Sequence, residues 1–200
     1  MLPGQRRAAG LQRQRRAARQ WRYHARMERP APLILVDVDG VLNPGQPEAG
    51  VYRRHWVFPG GIPHRLSLHP MHGQMLSELA QAADAELAWA SYWRGRANTW
   101  IAPRIGLPPI RHVPIPSRWR HRARLSLGTW KAAHVAAWSG QAPFVWFEDE
   151  PDVPGYLARQ PGLGRHLVIT VDPATGLTHH HMQQARAWLS DLRANPDRTS

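Results

Sequence analysis

The stretch Leu33-Ile-Leu-Val-Asp-Val-Asp-Gly-Val-Leu-Asn-Pro44 constrains this chain more than any other. Four apolar residues, Leu33 to Val36, run into two aspartates, Asp37 and Asp39, and Gly40 then permits a sharp turn. A short apolar run bounded by turn residues reads as a buried strand of a parallel sheet. Such a strand delivers Asp37 to the carboxyl edge of the sheet, where open α/β sheets bind ligands. Residues i and i+2 of an extended segment point the same way, so Asp37 and Asp39 are expected to face one ligand. Adjacent carboxylates repel, and a hard divalent cation such as Mg²⁺, which takes oxygen ligands and often accompanies a phosphate, is a reason to keep them together. One carboxylate can then attack phosphorus while its neighbour handles a proton. An EF-hand loop also begins D-x-D, but it needs an oxygen ligand at its fifth position, which here is Val41. A plain strand-to-turn junction with solvated aspartates is the simpler alternative.

The pattern recurs further along. Glu86-Leu-Ala-Trp-Ala-Ser91 is a second strand that ends in a hydroxyl, and Pro143-Phe-Val-Trp-Phe-Glu-Asp149 is a further apolar run that ends in acids. Lys131 is the single lysine among 26 basic residues. Arginine serves solubility here, so one retained lysine points to a role that the wider guanidinium cannot fill.

Three segments separate these strands. His72 to Asp84 reads as a helix with Met75, Leu76, Leu79, Ala80 and Ala83 on one stripe, and Ala97 to Ile105 as a short helix. Thr129 to Ser139 is a third helix, capped near Gly128 or Thr129. With further strands near 110–115 and 166–172, and a last helix capped by Thr178, the chain is expected to form a three-layer α/β fold around a mostly parallel five-stranded sheet. Residues 44–69 read as a small β-hairpin flap, Val51–Phe58 against Pro63–Leu68, too short to be an independent cap domain. His179 to His181 are adjacent on a helix, point in different directions and read as solvated rather than metal-binding.

DVDGVLN resembles the first motif of the haloacid dehalogenase (HAD) superfamily of phosphohydrolases. The resemblance covers roughly residues 32–192 and implies the HAD-type Rossmann-like topology. It implies Asp37 as nucleophile and Asp39 as general acid/base. It makes Ser91 the phosphoryl-binding hydroxyl of the second motif and Lys131 the lysine of the third. It also implies Mg²⁺ held by Asp37, the Asp39 backbone carbonyl, Glu148 and Asp149. The more frequent fourth motif has two aspartates, so the roles of Glu148, Asp149 and Asp152 stay open. Gly40, Arg65, Arg94 and Arg96 are the candidate substrate-binding residues, and a phosphorylated substrate is the implied partner. DVDGVLNP, the WAS-x-W strand end and the late D-P-x-x-G-L-T element look most like small, minimally capped HAD domains of the polynucleotide-end or RNA-repair type.

Charge adds a second theme. The net charge is +12, and residues 1–29 hold nine arginines and one glutamate. Such a balance favours polyanions such as nucleic acid. The 1–30 extension has three readings: a basic arm, a targeting peptide without the apolar core of a secretory signal, or a segment preceding a true start at Met27. The last of these, or plain disorder, is preferred. Pro116–Ser126 interleaves arginine with Trp119 and His121, as single-strand binders do, and as mobile loops of arginine-rich proteins also do. Residues 31–194 are then the HAD-like domain and 195–200 a frayed tail. The chain has no cysteine, which fits a reducing cytosol, and no run approaching the ~20 apolar residues of a membrane span. The rival to a phosphatase is a basic nucleic-acid-binding module with a degenerate pocket.

Overall fold

The computed structural model describes residues 30–117 and 126–196, and those from Ala31 onward belong to a single unit, Ala31–Ser200. The basic extension, residues 118–125 of the arginine-rich loop and the last four residues lie outside the described residues.

Five parallel strands form the central sheet in the order β5-β4-β1-β6-β7, where β1 is Leu33–Val36, β4 Glu86–Trp89, β5 Arg111–His112, β6 Phe144–Glu148 and β7 His166–Thr170. The all-parallel arrangement agrees with the expected architecture. β1 lies in the middle, and its four residues are fully buried. Both faces of the sheet are covered, so an unbroken apolar run is what the position requires. Ile34, Val36, Val145 and Phe147 face one core, completed by Leu76, Leu79, Met182 and Leu189. Leu33, Leu35, Phe144 and Trp146 face the other, completed by Ala132, Val135, Val153 and Leu157. The period-2 alternation of two neighbouring strands thus produces three layers.

The helices are α1 His72–Ala83, α2 Arg96–Trp100, α3 Ala102–Ile105, α4 Leu127–Ser139, α5 Val153–Leu157 and α6 His179–Ala194. Three differ from the sequence reading. The expected helix over 97–105 is two short ones broken at Ile101, because Pro103 sits in the first turn of α3. There a missing N–H costs nothing, whereas inside one continuous helix it would remove a bond and clash with the preceding turn. α4 starts two residues early, and its cap is Ser126, whose hydroxyl accepts the Thr129 amide at 3.0 Å. α5 was not expected, although a proline at its first turn is a starting signal. His181 is also no simple solvated histidine, since its Nδ1 accepts the Thr178 amide at 3.1 Å and fixes the start of α6.

The flap is present as an antiparallel pair, β2 Arg53–Val57 and β3 His64–Leu68, shorter at its outer ends than expected. Val57, Leu66 and Leu68 turn inward to the first core. On the same side of the molecule, His72 donates through Nε2 to the Leu177 carbonyl at 3.1 Å and stacks on His69. That bond ties α1 to the loop before α6.

Burial, with the neighbouring charge of His69, lowers the His72 imidazole to about 4. Between its ordinary value of 6.5 and about 4 the unfolded chain takes up the proton first, so the stability present above pH 6.5 is lost as pH falls through that window. The wild type should therefore lose about 3 kcal/mol more than His72→Gln across this range. Urea titrations at a series of pH values check it, and parallel acid limbs would refute it.

Candidate active site

The site grows from strand register. Val36 pairs with Phe147, so the next residues, Asp37 and Glu148, stand side by side at the carboxyl edge. The Asp37 amide donates to the Phe147 carbonyl at 3.2 Å. The alternation that sends Leu35 and Trp146 to the second core also sends Asp37 and Glu148 to that face. α4 packs there, and its Lys131 comes down between the two acids.

The Lys131 ammonium donates to Asp37 Oδ2 at 2.5 Å and lies 2.7 Å from Glu148 Oε1. All three residues are buried, Lys131 at 2% exposure and Glu148 at 0%. The aromatic rings of Tyr92 and Trp146 each lie 5.9 Å from the ammonium. Burial pulls the lysine down, but Asp37 and Glu148 together outweigh it and hold it well above its ordinary value. Burial, more than any charge, raises the Glu148 carboxyl, and Asp37 adds to the rise. Burial likewise lifts the Tyr92 phenol to about 12, and its hydroxyl donates to the Leu127 carbonyl.

Asp149 completes the cluster. One carboxylate oxygen from each of Asp37, Glu148 and Asp149 lies within 4.8 Å of the others. Burial and the charge of Asp37 raise Asp149 as well. One ammonium faces three carboxylates, and Glu148 Oε2 is buried with no hydrogen-bond partner. An all-oxygen donor set with excess negative charge and an orphaned oxygen fits a hard divalent cation such as Mg²⁺. Asp152 lies elsewhere: it accepts from the Ser126 hydroxyl, the Thr129 amide and the Thr129 hydroxyl, which hold it below the usual carboxylate range although burial opposes them. It fastens the start of α4 and so the position of Lys131.

Asp39 does not join the cluster. β1 ends at Val36, and the Val38 carbonyl accepts the amides of Val41, Leu42 and Asn43 in a tight turn. This turn carries Asp39 to the mouth of the site, where its carboxylate accepts from Asn43 Nδ2 at 3.2 Å and Trp93 Nε1 at 2.9 Å. Solvent reaches Asp39, yet the protein around it desolvates the carboxyl enough to raise it, and repulsion by Asp37 raises it further. Asn43 and Trp93 close the motifs DVDGVLN and WAS-x-W, but the sequence reading gave neither a role. Trp93 follows Ser91 by two residues, which was the available signal.

Gly40 has φ of +82°, and a Cβ there would overlap the Asp149 carboxylate. The turn can therefore approach β6 only with glycine. Ser91 is buried at the end of β4, beside β1 through the bond from the Ala90 amide to the Val36 carbonyl. Arg94 follows in a left-handed conformation, φ 51°, Arg96 is exposed at the start of α2, and Arg65 is exposed on the flap. Among the described residues, no ion pair joins these three arginines to the acids.

A five-stranded parallel sheet whose central strand ends in an aspartate, bridged by lysine to acids on the next strand, is the frame of an HAD-type phosphohydrolase. The chain belongs to the family described as the HAD domain in Swiss Army Knife RNA repair proteins, which matches residues 33–182. No curated protein matches it. Among solved structures, a hypothetical protein from Xanthomonas campestris is similar at 15% identity and a TM-score of 0.40, over 84% of this chain and 90% of that one.

Replacing Lys131 by methionine leaves two buried carboxylates uncompensated. It should cost about 3–5 kcal/mol in a urea titration, and a loss below 1 kcal/mol would show that the ion pair is not buried as described. Gly40→Ala should cost about 1–3 kcal/mol and weaken divalent-cation binding by displacing Asp149, read by calorimetric titration.

Proposed function

We propose that the chain is a Mg²⁺-dependent phosphatase that works through an aspartyl-phosphate and acts on phosphorylated nucleic-acid ends. The observation that carries this reading is the meeting of Asp37, Glu148 and Asp149 around Lys131. Asp37, Glu148, Asp149 and the Asp39 backbone carbonyl would hold the cation, which offsets charge on the phosphoryl oxygens. Asp37 attacks phosphorus in line, forming an acyl-phosphate as the bond to the leaving oxygen breaks. The raised Asp39 carboxyl, held by Trp93 and Asn43, gives its proton to that oxygen and later takes one from the water that hydrolyses the acyl-phosphate. Lys131 holds the Asp37 carboxyl in place and faces the equatorial oxygens, where charge gathers, together with the Ser91 hydroxyl. Gly40, Arg94 and Arg96 line the approach for the rest of the substrate.

The family's place in RNA repair supports a polynucleotide end as the substrate. Residues 31–194 form the catalytic domain, with 1–30 as a basic appendage, and a chain without cysteine fits the cytoplasm. No helix among the described residues is long and apolar enough to cross a membrane.

An aryl phosphate assay tests the reading. Hydrolysis should require Mg²⁺, stop with a chelator and resume on adding the metal back. Asp37→Asn should lower kcat by at least about a thousandfold, and Asp39→Asn by about 10²–10⁴-fold. Full turnover by Asp37→Asn would sink the mechanism. A nucleic-acid-binding protein with an inert pocket would release no phosphate at all.

A further inference from the structure

Three of the large apolar side chains exposed among the described residues sit on one short element, the flap. Trp56 is 63% exposed, Phe58 51% and Ile62 63%. A hairpin that buries Val57, Leu66 and Leu68 already has its core face, so these three serve no packing purpose in the chain.

Their arrangement is specific. Trp56 pairs with Arg65 across the hairpin, so both project from the face opposite Leu66, with Cβ atoms about 5 Å apart. Arg54, two residues earlier on β2, shares that face, and all three are exposed. From Val51 to Leu68 the segment carries three arginines and no acid. None of Arg53, Arg54 and Arg65 forms an ion pair among the described residues. An exposed indole flanked by unneutralised guanidinium groups suits a ligand that offers aromatic faces and anionic charge in alternation. A protein partner would want acids opposite these arginines and an apolar patch opposite the indole. A nucleic-acid strand supplies both from one repeating unit.

The hairpin is also fastened to the catalytic mouth. The His64 ring packs edge-on against Trp93 at 5.7 Å, and Trp93 holds Asp39. The Ser67 amide donates to Asn43 Oδ1 at 2.8 Å, and Asn43 holds the other Asp39 oxygen. The flap and the mouth of the site are thus tied together through Trp93 and Asn43.

We propose that the outward face of the flap, with Trp56 set between Arg54 and Arg65, binds the single-stranded segment of a nucleic acid whose phosphorylated end enters the acid cluster. Trp56 stacks on a base without reading its identity, and the arginines meet backbone phosphates. This deepens the phosphatase reading, which supplies the reason for a phosphorylated end to be there. Binding itself does not depend on turnover.

The test is fluorescence anisotropy of a labelled, phosphorylated oligoribonucleotide with the full chain and chelator, at several salt concentrations. Trp56→Ala should weaken binding on the order of tenfold, while Trp56→Phe, which keeps a stacking ring, should stay within about threefold of wild type. Arg54→Ala and Arg65→Ala should each lower the salt slope by about one. Trp56 is solvent-exposed, so circular dichroism should not change, and should Trp56→Ala fail to fold, Trp56→Phe and Arg65→Ala decide. Wild-type affinity in Trp56→Ala overturns the proposal, whether because residues 1–29 do the binding or because the face takes a protein. So does a wild type that does not bind. Trp56-dependent binding together with no phosphate release from the same oligonucleotide when Mg²⁺ replaces the chelator would leave this inference standing and remove the phosphatase reading instead.

Discussion

One buried ammonium holds the catalytic edge together. Strand register forces Asp37 and Glu148 into adjacency, and two acids so placed in a protein interior call for a cation between them. Lys131 is that cation within the chain. The consequences spread outward. α4 must approach the sheet edge closely, which Gly128 permits because a Cβ there would overlap Asp152 and Glu150. Asp152 then caps the same helix, and Tyr92, one residue after Ser91, reaches back to the Leu127 carbonyl. α4 is thus tied to the end of β4 through Tyr92, to the chain after β6 through Asp152, and to the end of β1 through Lys131 and Asp37.

Much of this was legible in the sequence because burial and chemistry left contrasting marks. LILV and FVWF are apolar on both faces because both faces are covered, and each ends in acid because each stops at the sheet edge. A lone lysine in an arginine-rich chain stood out for the same reason. What the residues could not show was direction after a strand ends. The spacing of Asp37 and Asp39 suggested an extended chain through both, whereas the turn over 38–43 carries Asp39 to the mouth of the site, where its partners come from Asn43 and from distant Trp93. Asp152 was equally ambiguous, since an acid after a strand reads alike as a ligand or as a cap. Only the placement of Ser126 and Thr129 separates the two. The broken helix at Ile101 and the short α5 were smaller misses, each resting on a proline whose effect depends on which turn of the helix it occupies.

The flap shows a division of labour between the faces of one small element. Val57, Leu66 and Leu68 extend the first core, its edge donates a backbone amide to Asn43, and Arg54, Trp56 and Arg65 on its outer face stay in water. A two-stranded hairpin is marginal alone, so the core contacts are what allow the outer face to carry exposed indole and guanidinium groups without collapse. The flap and the mouth of the site meet where His64 packs on Trp93.

β1 is the innermost strand of the sheet, yet it is the earliest of the described strands, and its neighbours on either side begin only at Glu86 and Phe144. During synthesis the run LILV therefore emerges with neither flank available. Loop closure over such separations is slow, and an apolar strand with two open edges is prone to wrong pairing. The run thus stays open to mispairing until β6 has been made.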